Sequence, residues 1–160
     1  MAVDMFIKID DIKGESRDKT HKDTIDVLAW SWGMSQSGSS HTGGGSGAGK
    51  VNVQDISFTK YVDKSSPNLL RHCCTGKHLK QAVITVRKAG GSPLEYVKLT
   101  MSDLIVTSIS TGGSGGEDRL TENVTLNFGK FKFEYTPQNA KGSADATLPV
   151  AYNIAAGTEE

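Results

Sequence analysis

The feature that most constrains this chain is apolar alternation of period two that repeatedly changes phase. Successive side chains on a strand point to opposite faces, so residues i, i+2 and i+4 line one side. In the run Thr24 to Ser35, Ile25 and Val27 share one parity, whereas Leu28, Trp30, Trp32 and Met34 take the other. Val51 and Val53 give way to Ile56 and Phe58. The set Leu120, Val124, Leu126 and Phe128, interrupted by Glu122, is replaced past Gly129 by Phe131, Phe133 and Tyr135. A phase change requires a bulge, a sharp bend or a strand buried on both faces. Alternating runs also cover Val3 to Ile9, Gln81 to Ala89, Glu95 to Met101, Leu104 to Ile109 and Leu148 to Ile154. About eight or nine short strands with such bends predict sheets that curl until they close. Closure also protects the edges of a chain so rich in β.

One segment breaks the pattern. Residues 66–75 read as a short helix, with Ser66 as its cap, Pro67 at the first helical position and Gly76 as the stop. Leu69, Leu70, Cys73 and Cys74 make it amphipathic, and both cysteines are expected on its buried side. The expected fold is therefore mainly β: a small closed β-barrel of two packed antiparallel sheets, with one short flanking α-helix and a long Gly-rich loop over residues 37–50. One domain spanning residues 1–160 is expected, because a chain of 160 residues can bury about 70% of its unfolded surface.

Charge and cysteine content narrow the function. Eighteen basic and 18 acidic residues cancel, so bulk charge gives no reason to bind nucleic acid or an anionic membrane. No apolar stretch approaches the ~18 residues of a membrane span, and Asp4, Lys8, Asp10 and Asp11 break up any secretory h-region. Synthesis in the cytoplasm is expected, with Cys73 and Cys74 reduced and behaving as small apolar residues.

The chemical motifs each fail on context. Gly44 to Lys50 has the form of a phosphate loop, but Val51 stands where a Ser or Thr would hold magnesium, and a strand follows instead of a helix. His72, Cys73, Cys74 and His78 do not share a helix face, and no second knuckle supplies further zinc ligands. Gly112-Gly113-Ser114-Gly115-Gly116 has the spacing of a nucleophile elbow, yet Glu117-Asp118-Arg119 follows and two strands flank it. The pairs Asp10-Asp11 and Glu117-Asp118 read as solvated turn residues. Asn123-Val124-Thr125 reads as a strand face, and Trp30 and Trp32 as core or interface. No catalytic set emerges, and neither a metal nor another cofactor is expected.

Whole phrases of the sequence resemble a known family. Ala2 to Ile9, Gly14-Glu15-Ser16, Ile25 to Gly33, Gly49 to Asp55, Phe58-Thr59-Lys60-Tyr61 and Ser114 to Asn123 are similar, in order, to the haemolysin-coregulated protein (Hcp) family of type VI secretion. The resemblance implies a non-enzymatic β-barrel with one helix, assembled as homo-hexameric rings that stack head to tail into a hollow tube. It implies contractile sheath proteins, spike and tip proteins and secreted effectors as partners, and delivery outside the cell without membrane insertion. A compact chain of this size is roughly 40 Å across, so six in a ring leave a hole of roughly 40 Å.

The Gly-rich loop is expected to make the contact between rings, through Ser37, Gly38, His41, Gly43, Gly44, Gly45, Gly47 and Lys50. Ser114 is placed facing the lumen. Two rival readings remain open at this point: a barrel that binds a small ligand inside itself, and a serine hydrolase.

Overall fold

The computed structural model describes residues 3–38, 49–89 and 93–160. Eleven strands and one helix follow in the order β1 (Val3–Ile9), β2 (Ile25–Asp26), β3 (Ala29–Ser31), β4 (Met34–Gln36), β5 (Val51–Val53), β6 (Ile56–Tyr61), α1 (Ser66–Thr75), β7 (Leu79–Lys88), β8 (Leu94–Thr111), β9 (Thr121–Tyr135), β10 (Leu148–Asn153) and β11 (Thr158–Glu159). Nine strands form one antiparallel sheet, with β11-β10-β9-β8-β7-β1-β2 as its main path, β6 also paired to β9, and β3 to β6. The second sheet is the β4–β5 ribbon, in register from Met34↔Val53 to Gln36↔Val51.

The phase changes in the sequence are where this sheet turns. At Val27 and Leu28 the chain changes neighbours: Val27 N–H donates to Met5 O at 2.9 Å on β1, and Leu28 N–H to Thr59 O at 2.8 Å on β6. Among the described residues no ladder of strands closes on itself, but residues 25–31 carry the circuit from β1 to β6, and through β6 to β9. The second change, Val53 to Ile56, marks the step from the ribbon into the main sheet. The third lies at Gly129, between the partner pairs Leu104↔Phe128 and Ser102↔Lys130. There β8 changes phase too: Leu99 and Met101 are buried on one side of Asp103, Leu104 and Val106 on the other. Asp103 adopts φ 55°, a left-handed conformation that Asp tolerates better than most residues.

The sequence reading split this hairpin into short pieces. In the structure β8 is one strand of 18 residues and β9 one of 15, kinked together at Asp103 and Gly129. Register shifts between Val86 and Arg87 and between Val106 and Ser108 add curvature.

The curled sheet encloses a core that includes Ile7, Ile25, Phe58, Ile84, Leu99 and Leu126. Trp30 and Trp32 pack against its margin, and Trp32 Nε1–H donates to Gln54 O at 3.0 Å. Helix α1 closes one flank through buried Leu69. Its cap is Ser65 rather than Ser66, with Pro67 in the first turn and Gly76 ending it at φ 67°. The expectation for the cysteines is half met, since Cys73 is half-buried and Cys74 exposed. Leu69 and Cys73, four residues apart, share the inner face, whereas Leu70 and Cys74 are turned one position further round.

Strand β10 lies near the end of the sheet path. Its outward backbone groups belong to Pro149, Ala151 and Asn153, because the N–H and C=O of one residue in an antiparallel strand point the same way. Ala151 O accepts from Glu160 N–H at 2.9 Å and Asn153 O from Gly157 N–H at 2.8 Å, while Pro149 has no N–H to offer.

Gly14 fixes the loop between β1 and β2. A Cβ there would lie 2.4 Å from Thr24 O and 2.8 Å from Ile25 Cα, both backbone atoms of a paired segment. Gly14→Ala is expected to lower the thermal midpoint by several degrees, by forcing this loop off Ile25; a melting curve followed by circular dichroism tests it.

Candidate functional site

Three features of the fold carry polar or exposed groups beyond what folding alone asks for. The first is the ribbon. It stands apart from the main sheet and holds Gln36 and Val51 opposite each other, which ties together the two ends of the Gly-rich loop. Gly49 is packed at this root, where an added Cβ would meet Ser37 Oγ at 2.1 Å and Gln36 Oε1 at 2.8 Å. Ser37, Gly38 and Lys50 are exposed. His41, Gly43, Gly44, Gly45 and Gly47 lie outside the described residues. Between the ribbon and β10–β11 runs an open groove of about 680 Å³, with Met34 and Val53 on one wall, Val150 on the other and Phe131 and Tyr152 among its lining.

The second feature is a buried polar knot where α1 meets β6 and β9. Lys60 follows Ile56 and Phe58 on the inward parity of β6, and Glu122 precedes Val124 on the inward parity of β9. Both are almost wholly inaccessible, at 0% and 1% exposed. The Lys60 ammonium donates to Tyr61 O at 3.0 Å, Asp63 Oδ1 at 3.0 Å and Ser66 Oγ at 3.1 Å, and it forms an ion pair with Glu122 Oε1. Three N–H groups are thus shared among four oxygens. The Ser66 hydroxyl donates to Glu122, and the Ser65 hydroxyl to Asp63. Both serine hydroxyls are thus engaged in the knot, and Ser65 holds the cap position without a side-chain capping bond.

The third feature is a clamp on the outer face. Arg87 Nη2 meets Asp18 Oδ1 at 2.6 Å and Asp4 Oδ2 at 3.0 Å, and its guanidinium sits 5.1 Å from the centroid of the Phe6 ring. His21 stacks on the same ring, centroids 4.5 Å apart and planes 13° from parallel, while its Nε2 lies 2.7 Å from Glu95 Oε1. Asp18 Oδ2 also accepts the backbone N–H groups of Thr20 and His21. The hydrogen bond from Arg87 holds the Asp18 carboxyl well below its ordinary range, with the two backbone donors assisting against partial burial. The same bond, together with Asp4, pushes the Arg87 guanidinium upward.

Comparison with known proteins places this arrangement of a curled sheet, a two-stranded ribbon and one helix. Residues 6–135 match the family model described as type VI secretion system effector, Hcp. The chain belongs to the Hcp family. Protein hcp1 of Pseudomonas aeruginosa is 67% identical over 153 residues, covering 95% of this chain and 94% of that one. Hcp1 from Salmonella typhimurium superposes with a TM-score of 0.80 at 40% identity, covering all of both chains. A solved type six secretion system protein superposes at 0.93 with 26% identity, over 99% of this chain and all of that one.

Within this Hcp chain the remaining sequence candidates separate. Ser114 lies at the exposed tip of the β8–β9 hairpin, its O accepting Glu117 N–H at 3.1 Å in a tight turn. Its hydroxyl approaches only Gly116 N–H, at 3.5 Å, so the hydrolase reading gains nothing from its surroundings. The ligand-barrel reading meets a sheet interior filled by the side chains of the core. Asn123 receives the Thr59 hydroxyl at 2.6 Å as a cross-strand pair. Among the described residues, no helix is long and apolar enough to cross a membrane. The knot and the clamp were missed by the sequence reading. Glu122 was visible as an acid at an inward parity, and Lys60 shared the parity of Ile56 and Phe58; nothing local pairs them, since Glu122 lies 56 positions from Ser66.

Removing one member of a buried ion pair leaves the other without compensation, at a cost of about 3–5 kcal/mol, whereas replacing both with apolar residues is often neutral. Lys60→Met is expected to destabilise by that order in urea unfolding, and Lys60→Met combined with Glu122→Leu to regain most of it. For the clamp the sign follows from the lowered carboxyl. Asp18 contributes stability above its unfolded value of 3.8, and that contribution is lost as pH falls further toward the folded value. Asp18→Asn should lower the melting temperature at neutral pH and flatten its decline below pH 4, as read from melts across pH.

Proposed function

We propose that this chain is the subunit of a type VI secretion tube: copies close into hexameric rings, rings stack head to tail, and the hollow column is expelled from the cell. The observation that carries this reading is the 67% identity to Protein hcp1, extended over 95% of the chain. One continuous core from Ile7 to Phe131 supports treating residues 1–160 as one domain. The role is structural rather than catalytic. Sheath proteins outside the tube, spike and tip proteins at its end and effectors in its lumen are the partners that fit it. Export begins from the cytoplasm and passes through the secretion machine itself.

The contact between rings is assigned to the loop over residues 37–50. The ribbon supports this, because it holds the loop ends together away from the main sheet and leaves Ser37, Gly38 and Lys50 exposed. A tube requires a contact between two different surfaces, since a self-complementary one would stop at two rings. Ser114, at the hairpin tip, is kept as a candidate for the lumen.

Negative-stain microscopy of the purified protein should show annular particles of six subunits, confirmed by native mass. Deleting Gly43 to Gly47 should leave those rings and abolish their stacking. A lone particle at high concentration would refute the tube reading; unchanged stacking would refute only the role of the loop.

A further inference from the structure

Charge is balanced over the whole chain but not along it. From residue 64 to residue 94 the sequence carries Lys64, Arg71, Lys77, Lys80, Arg87 and Lys88 and no acidic residue. Arg87 is used by the clamp, and Lys80 stands beside Asp103, between the register pairs Leu79↔Leu104 and Gln81↔Ser102. Around the last turn of α1, Arg71, Lys77 and His78 are exposed and flank exposed Leu70 and Cys74. None of these three side chains forms an ion pair among the described residues. Arg71 reaches only the neutral Asn68 Oδ1, at 3.0 Å. The result is a small apolar centre with a basic rim, facing solvent.

The same chain carries a surface of opposite character. The β8–β9 hairpin ends in Gly112 to Leu120, exposed throughout. Added Cβ atoms at Gly112, Gly115 and Gly116 would meet nothing within 4 Å, so the end of the tip is open to solvent, while its base is held by Leu120 O, which accepts from Val62 N–H at 2.9 Å. Its charges are Glu117, Asp118 and Arg119. The Arg119 guanidinium lies over the Tyr61 ring, 3.6 Å from its centroid, so the tip carries a net charge of −1, with Glu117 and Asp118 as its carboxylates. Neither makes an ion pair among the described residues. Leu120, 45% exposed, adds an apolar group at its base.

These two surfaces cannot meet within one copy. Helix α1 starts at the root of the hairpin, where Ser66 touches Glu122, and its ten residues carry it about 15 Å along. It ends beside Ile105, six residues down β8 from Thr111. At about 3.3 Å per residue that is roughly 20 Å from the hairpin root. A basic patch and an acidic tip, both unpaired and held apart, are complementary only between copies, as a heterologous contact.

We propose that the acidic β8–β9 tip, through Glu117 and Asp118, docks on the Arg71–Lys77–His78 rim around Leu70 and Cys74 of a neighbouring copy. This rests on the tube reading and deepens it by naming a contact other than the Gly-rich loop. Desolvation of Leu70 and Leu120 supplies the apolar part, and the charges set direction, so that tip never meets tip.

The test is a charge swap on the full-length protein, read by sedimentation velocity at low and high salt. Arg71→Glu with Lys77→Glu, and separately Glu117→Lys with Asp118→Lys, should each reduce the fraction of protein in assemblies at least several-fold at low salt. Added salt should weaken wild-type assembly in the same direction. All four changes together should restore assembly. Circular dichroism checks that each variant is folded. Unaltered assembly in either reversal, or no recovery in the folded four-fold variant, overturns this contact while leaving the tube reading in place. A wild-type chain that remains monomeric overturns both.

Discussion

A sheet that wraps round its own core cannot keep one face inward along straight strands. Each long strand has to exchange its inner and outer sets part-way, and its neighbour has to do so at the same level or the ladder breaks. Asp103 and Gly129 meet this condition as a cross-strand pair. Asp103 enters a left-handed conformation on β8, and Gly129 opposes it on β9 without a side chain. The inward set passes from Leu99 and Met101 to Leu104 and Val106 on one strand, and from Phe131 to Phe128 and Leu126 on the other. Residues 25–31 solve the corresponding problem on the far side by changing partner strand. The site where α1 docks and the hairpin that projects from the sheet are both placed by these two turns.

The Lys60 knot shows what such a barrel does with an end that apolar packing does not fill. Three hydroxyl and carboxyl side chains converge on one ammonium in a region without solvent, which is costly unless the geometry is satisfied nearly throughout. Apolar contacts fix α1 loosely, since Leu69 is its only wholly buried apolar residue. The knot adds direction: it admits one placement of the first turn relative to β6 and β9. Specific docking of a weakly amphipathic helix is the return for burying charge there, and Glu122 Oε2, without a hydrogen-bond partner among the described residues, marks its imperfect satisfaction.

How much of this was legible in the sequence depended on whether a signal was local. Period-two runs located β1 from Val3 to Ile9 and β10 from Leu148, and Pro67 and Gly76 located α1, because each is written in adjacent residues. Phase changes announced bends at Val27 and Gly129, but not that β8 would pass through Asp103 unbroken; an Asp in a left-handed conformation looks the same in sequence as an Asp in a turn. The short β11 has no apolar pattern and depends on β10 being present. The clamp joins Asp4, Asp18 and Arg87, the last two 69 positions apart, and nothing local pairs them. The residues proposed for assembly were legible only as composition: the glycine tract of residues 37–50 was conspicuous, whereas the basic group around the end of α1 required knowing which side of the helix is covered.

Pro149 has a consequence for the margin of the sheet on which it lies. The exposed margin of β10 is the place where a stray chain would find free amides and extend the sheet, and such growth has no natural limit. An imide nitrogen at that point removes the donor, and the residues after it are occupied by Gly157 and Glu160. At this margin the backbone therefore offers little for another strand to extend, and growth of the sheet into an indiscriminate fibre is disfavoured there.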